Sequence, residues 1–257
     1  MNLFDNSKKN MKTMLITGAS RGIGAATARL AAENGFAVAL NYCRNKAAAD
    51  KVVAEITANG GKAVAIQADI SKEEQVLRLF SETDSLFGNL SSLVNNAGIL
   101  EQQMRLENMD AARLLRIFAA NIFGQFLCAR EAVKRMSYKN GGPGGTIVNV
   151  SSLAAKTGAP NEYVDYAASK GAIDTLTIGL AKEVAAEGIR VNGVRPAFIH
   201  TDIHAAGGEA GRIERIKDSI PMQRGGLARE VAEAILWLAS DKSSYSTGTF
   251  IDVSGGK

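Results

Sequence analysis

The sequence predicts an α/β protein built on a doubly wound parallel sheet, and three observations carry that prediction. Short β-rich runs alternate with longer helical patterns along the chain. Such alternation requires crossovers, because parallel strands are joined by right-handed helical connections that cover both faces of a sheet. At the amino-terminal end a strand, a glycine turn and a helix follow one another directly. The chain has 257 residues and 46% hydrophobic content, enough for one large core that such a sheet fills as a single domain.

The elements follow in order. Residues 12–17 read as a short buried strand, and Gly18, Gly22 and Gly24 punctuate the turn that opens the next helix. That helix continues through residues 25–33 and stops at Asn34-Gly35. Further strands read at 36–42, 62–67, 145–150, 190–194 and 249–253, within an expected total of seven. Asp69-Ile70 falls at a strand end, where Ser71 and Glu74 have the spacing of a capping box for the following helix. Residues 141–145, Gly-Gly-Pro-Gly-Gly, are the only low-complexity segment and read as a hairpin-like surface loop, since a strand rather than a helix follows. There is no repeat or linker. One domain is therefore expected over residues 12–257, after a loose tail at 1–11 and with a polar, glycine-hinged lid at about 201–223 that includes Arg212, Arg215 and Lys217.

Composition narrows the partners. Lys and Arg number 30 against 26 acidic residues, a net charge of +4 that is too small and dispersed for a nucleic-acid surface. Residues 1–11 lack an apolar signal core, and no stretch reads as the roughly 18 apolar residues of a membrane span. Cys43 and Cys128 are too few for a disulfide framework and are expected to be reduced packing residues, which suits a cytoplasmic location.

Two clusters carry chemistry. Gly18, Gly22 and Gly24 have Gly-x3-Gly-x-Gly spacing between a strand and a helix, where absent Cβ atoms and the positive helix end admit a pyrophosphate. Tyr166 and Lys170 stand four residues apart, one above the other on a helix. An ammonium there favours a phenolate, so the Tyr166 pKa is expected to fall below its usual value of about 10.

With both clusters in view, the chain resembles the short-chain dehydrogenase/reductase family from about Lys12 to Gly256. The resemblance rests on Thr17-Gly18-Ala19-Ser20-Arg21-Gly22-Ile23-Gly24, on Asn95-Asn96-Ala97-Gly98, on Asn121-Ile122-Phe123-Gly124, on Val148-Asn149-Val150-Ser151-Ser152, and on Tyr166 with Lys170. It implies a Rossmann-type, seven-stranded parallel sheet flanked by helices. It also implies hydride transfer between a nicotinamide cofactor and a carbonyl or secondary alcohol. Tyr166 would be the general acid or base, Ser152 would bond the same oxygen, Lys170 would tune Tyr166 and hold the ribose, and Asn121 would position a water in a proton relay. Arg195-Pro196 resembles the Pro-Gly turn beside the nicotinamide, with Ala197 in place of glycine. Ser152 lies 14 residues before Tyr166, one more than the family pattern, which points to an insertion between residues 156 and 162 and leaves Ser151 as a rival.

By the same resemblance the cofactor would lie on Gly18, Ser20, Arg21, Gly22, Ile23 and Gly24, then on Asn41, Tyr42 and Arg44 after the second strand. Asp69 and Ile70, then Asn96, Ala97 and Gly98, follow the next two strands, and Tyr166, Lys170, Pro196, Ile199 and Thr201 complete the site. No acidic residue ends the second strand, and Arg21 with Arg44 could clamp a 2′-phosphate, so NADP(H) is preferred over NAD(H). The helices around residues 109–136 and Tyr166 imply a homodimer or homotetramer. Two other classes are weighed. Gly18 to Gly22 also fits Gly-x-Ser-x-Gly, a serine hydrolase elbow with Ser20 as nucleophile, and the fold could serve as a non-catalytic nucleotide-binding scaffold. No metal site is expected, although His200, Asp202 and His204 cluster in sequence. Sugars, hydroxy-ketones and acyl thioesters all remain open as substrates.

Overall fold

The computed structural model describes residues 11–257. The expected tail over 1–11 therefore lies outside the described residues, apart from Met11. Strands β1 (Thr13–Ile16), β2 (Ala37–Tyr42), β3 (Lys62–Gln67), β4 (Leu90–Asn95), β5 (Gly145–Val150), β6 (Ile189–Pro196) and β9 (Phe250–Val253) form one sheet in the order β3-β2-β1-β4-β5-β6-β9. Every pairing is parallel. The expected count of seven is met, and each expected strand lies within one or two residues of its observed bounds. A separate two-stranded pairing, β7 (Ile199–His200) with β8 (Gly226–Leu227), was not anticipated, because strands this short leave no periodic signal.

Helices cover both faces. Helices α1 (Gly22–Glu33), α2 (Lys46–Ala58) and α10 (Ala228–Ala239) bury Leu30, Val52, Ile56, Val231 and Ile235 against Met14, Val38, Leu40 and Val148. On the other face α3 (Glu73–Phe87), α5 (Gly124–Met136) and α7 (Val164–Val184) pack Leu79, Phe80, Leu127 and Met136 against Leu15, Leu93 and Ile147. Central strands buried on both faces read as continuous apolar runs, which is why β1 and β2 contain almost nothing else. Chain order reverses between β1 and β4, and this switch point opens a crevice at the carboxyl ends of the strands.

Three local expectations are corrected. Helix α3 begins at Glu73 with Lys72 as its cap residue and no side-chain cap, so the capping box does not form. The Ser71 hydroxyl instead donates to Asp69 Oδ1 at 2.8 Å, a nearer acceptor. Residues 141–145 are not a hairpin but the return from α5 to β5; a Cβ on Gly142 would lie 2.3 Å from Arg135 O, so the chain runs tightly across the helix end. Finally, α4 (Ala111–Phe118), a π turn and α5 make one helical run, Ala111–Met136, long and apolar enough by composition to cross a membrane. Its inner face holds Asn121, Gln125 and Glu131, all buried and hydrogen-bonded within the protein, as suits a helix laid on a sheet.

Candidate active site

The glycine turn after β1 is locked from two sides. Gly18 and Gly22 take φ of +63° and +55°, a region open to glycine. Thr17 Oγ1 accepts the N–H groups of Asn96 and Ala97 at 3.0 Å each, while Asn96 Nδ2 donates to Thr17 O and Gly18 O at 2.9 and 3.0 Å. A Cβ on Gly24 would sit 2.6 Å from both Asn96 Nδ2 and Gly18 O, so only glycine fits there. Helix α1 starts after an extended Arg21 with no side-chain cap. Its first-turn N–H groups are thus left for an outside acceptor, and the turn fits a dinucleotide pyrophosphate.

Several expected cofactor residues shape this wall from behind. Asn41 is 2% exposed; its Oδ1 accepts Gly18 N at 3.1 Å and its Nδ2 donates to Ala68 O at 3.0 Å, so its side chain is spent on backbone. Tyr42 and Ile70 are buried in the core, Ile70 against Gly124. Ser20 and Ile23 are half-buried in the turn, Arg21 and Arg44 are exposed, and Asp69 is half-buried after β3. Cys43 is exposed, which corrects its reading as a packing residue; Cys128 is buried, and both are free thiols.

The four candidate catalytic side chains come together at the carboxyl end of β5. The Ser152 hydroxyl donates to Pro196 O at 3.4 Å and accepts the Ala154 N–H at 3.1 Å, close enough to Tyr166 to favour its phenolate. Lys170 is 3% exposed; its Nζ donates to Val150 O at 2.7 Å and stands 5.6 Å from the centre of the Tyr166 ring. Asn121 is fully buried in the π turn Ala119–Phe123, an insertion that often marks functional positions. Its side chain grips the backbone of Ile99 through Oδ1 at 2.7 Å and Nδ2 at 2.9 Å. Gly98 lies between these groups, since a Cβ there would be 3.4 Å from Asn121 Oδ1 and 3.5 Å from Lys170 Nζ. Ser151 is buried and donates to Lys170 O at 3.2 Å, which removes it as a rival to Ser152. In the loop before Tyr166, Ala159 and Asn161 take positive φ on either side of Pro160. Ala197 needs no such conformation, and its N–H donates to Val253 O at 3.1 Å, so alanine serves in place of glycine.

The electrostatics run against the expectation from spacing alone. Burial pushes the Tyr166 phenol up to about 12, with the neighbouring Ser152 hydroxyl acting the other way. Burial also brings the Lys170 ammonium down to about 8, opposed by Asp174. Loss of solvation outweighs the mutual effect of the pair because both charged forms are removed from water and Lys170 Nζ is drawn to Val150 O. At neutral pH the phenol is protonated.

Residues 18–257 match the family model described as enoyl-(acyl carrier protein) reductase. The chain belongs to the short-chain dehydrogenase/reductase family. It is 61% identical to the uncharacterized oxidoreductase YgfF of Escherichia coli (strain K12), over 96% of this chain and all of that one. It is 40% identical to a 3-oxoacyl-[acyl-carrier-protein] reductase of Synechocystis, over 94% of this chain and 95% of the relative. The crystal structure of a 3-ketoacyl-(acyl-carrier-protein) reductase from Brucella melitensis complexed with NADH superposes with a TM-score of 0.88 at 35% identity, covering 95% of this chain and 97% of that one. This short-chain dehydrogenase/reductase is accordingly an NAD(P)-dependent oxidoreductase, and the hydrolase reading of Ser20 falls away.

Two residues of the quoted motifs, Asn95 and Asn149, join Thr177 in a polar network whose role the sequence reading missed. Asn95 Nδ2 donates to Asn149 Oδ1 and Asn149 Nδ2 to Thr177 Oγ1, at 3.1 and 2.9 Å, tying β4, β5 and α7 under the site. Asn149 inside the apolar run of β5 was the available signal. The segment 201–223, expected from the sequence to be a lid, is tied down by ion pairs. Glu209 pairs with Arg212 and Arg215, Arg212 pairs with Glu162, and Tyr163 Oη donates to Gly207 O at 3.0 Å. Residues 203–219 contain α8 (Ile203–Ala206), α9 (Arg212–Ile216) and a short 3-10 turn rather than open coil. Thr201, at the head of this segment, reaches the glycine turn; its methyl would be 3.3 Å from a Cβ on Gly22. Ile199 is buried in the core, and Pro196 O accepts Leu153 N at 2.9 Å.

Proposed function

We propose that this chain is an NADP(H)-dependent reductase that interconverts a small carbonyl compound and its secondary alcohol. The observation that carries the reading is Lys170 Nζ standing 5.6 Å from the centre of the Tyr166 ring, with Ser152 and Asn121 beside them and a glycine turn shaped for a pyrophosphate at the same end of the strands. When bound, the nicotinamide supplies or accepts the hydride. Ser152 donates a hydrogen bond to the carbonyl oxygen and stabilises the charge developing there. Tyr166, protonated at neutral pH, donates its phenolic proton to the same oxygen, which suits the reductive direction. Lys170 holds the ribose hydroxyls and the electrostatics of Tyr166, and Asn121, fixed to Ile99, orients water for reprotonation. Gly18, Gly22 and Gly24 let the backbone meet the pyrophosphate, while Arg21 and Arg44 take the 2′-phosphate in a region without an acidic competitor after β2.

The segment 201–223 acts as the substrate lid, latched to residues 159–163 by Arg212. Relatives named as 3-oxoacyl-[acyl-carrier-protein] reductases make β-keto thioesters the first compounds to try, followed by hydroxy-ketones and sugars. The reductase acts in the cytoplasm as a homodimer or homotetramer. Leu115, Phe118, Phe123 and Phe126 on the α4–α5 run and Ile178 on α7 are exposed apolar groups that a second copy would cover. The test is a carbonyl screen with NADPH and NADH beside Tyr166→Phe, following nicotinamide absorbance. The variant should keep cofactor binding and lose roughly 10² or more in turnover; undiminished turnover refutes the role. A lower KM for NADH than for NADPH refutes the cofactor preference.

A further inference from the structure

Helix α7 carries a carboxylate one turn beyond the lysine. Tyr166, Lys170 and Asp174 follow at four-residue intervals, and helical side chains lean toward the amino terminus, so the Asp174 carboxylate is directed toward the lysine's turn. Its two oxygens are unequal. Oδ2 accepts from Arg195 Nε at 2.9 Å, whereas Oδ1 is buried with no hydrogen-bond partner. A buried carboxylate oxygen left unpaired is costly unless a nearby positive charge answers it. Arg195 is itself held in place: its guanidinium lies 3.7 Å from the centre of the Phe250 ring and reaches Asp252 Oδ1 at 3.4 Å. It sits on β6 next to Pro196, whose carbonyl meets Leu153 N beside Ser152.

We propose that Asp174 is a positioning residue for Lys170: its unpaired oxygen sustains the lysine's ammonium, and Arg195 sets how much of that negative charge the lysine experiences. The inference rests on the roles proposed above for Tyr166 and Lys170. Charged groups on the neighbouring helices have partners of their own. Helix α6 (Ala154–Thr157) brings Lys156, bonded to Asp252 of β9; α4 and α5 bring Arg113 and Glu131, already paired with Asp165 and with Lys134 and Arg135. Asp174 is thus the carboxylate left to answer Lys170, in line with its opposing effect on the lysine's depressed pKa.

The two partners should act in opposite directions, which a loss of packing would not produce. In protein labelled with 13C-lysine, the Lys170 Cε resonance, assigned with Lys170→Met, is titrated by NMR, and the pH profile of kcat is measured beside it. Asp174→Asn should move the Lys170 titration, and the basic limb of kcat, down by about half a pH unit or more. Arg195→Gln should move both up, and Asp174→Glu should restore the wild-type position. Absence of movement, or movement of both variants in one direction, overturns the proposal. If Asp174→Asn fails to fold, the sign of the Arg195→Gln shift alone decides. The NMR titration needs no turnover, so it stands even where Tyr166→Phe refutes the reductase reading.

Discussion

Removing the Asp165 carboxylate should cost this protein more than any exposed charge. Asp165 is 2% exposed and Arg113 4%, and they meet through Nε–Oδ2 at 2.7 Å and a second contact at 3.4 Å. Arg113 also donates to Gln102 O at 2.7 Å, so the pair joins α4, the loop after β4 and the first turn of α7. In Asp165→Ala the guanidinium stays buried with that carbonyl and no counter-charge, a change worth about 3–5 kcal/mol. For a chain of this size each kcal/mol lowers Tm by about 2–4 °C, giving a fall of roughly 6–20 °C. Urea denaturation should move to a lower midpoint at unchanged slope. The double change Arg113→Met with Asp165→Leu should recover most of the loss, because it removes both charges together. As a control, Glu82→Ala removes a half-exposed partner of Arg78 and should stay within about 0.5 kcal/mol. A loss below about 1 kcal/mol in Asp165→Ala would mean the pair behaves as a surface pair, and the reasoning from burial would be wrong.

Gly24→Ala places a methyl against Gly18 O and Asn96 Nδ2, and should destabilise the turn by about 1–3 kcal/mol and weaken NADPH binding in fluorescence titration; unchanged affinity would count against the turn as the pyrophosphate site. The Glu209 carboxyl is held at about 2, first by Arg215, with burial opposing and Gln103 and Arg212 assisting. A folded pKa below the unfolded value of about 4.3 means the lid latch contributes fully above that value and is lost only as pH falls through about 2. Proteolysis within residues 201–223 should therefore be constant from about pH 7 to 5 and accelerate in Glu209→Gln at pH 7; a lid that loosens already at mildly acidic pH contradicts the latch. Phe126→Asp on the exposed face of α5 should yield monomers in light scattering, and an unaltered assembly would place the subunit contact elsewhere.

Helix and strand positions were legible because they depend on near neighbours. The apolar runs of β1 and β2, the stop at Asn34 and the i, i+4 pair on α7 are all local patterns, and each expected strand emerged within one or two residues. Local patterns failed where another group, near or far along the chain, offered a better partner. Ser71 has capping spacing, yet its hydroxyl turns to Asp69; Asn41 ends a strand facing the crevice, yet its amide is consumed by Gly18 and Ala68. The sequence by itself determined the doubly wound sheet and the glycine turn, because these are local patterns, and its resemblance to the family pointed to Asn121, Ser152, Tyr166 and Lys170 as the candidate site. Only the tertiary structure decided their charge states. Tyr166 is raised rather than lowered, and Lys170 is depressed against Asp174, because desolvation is set by the elements that close around α7 and not by the four residues between the two side chains.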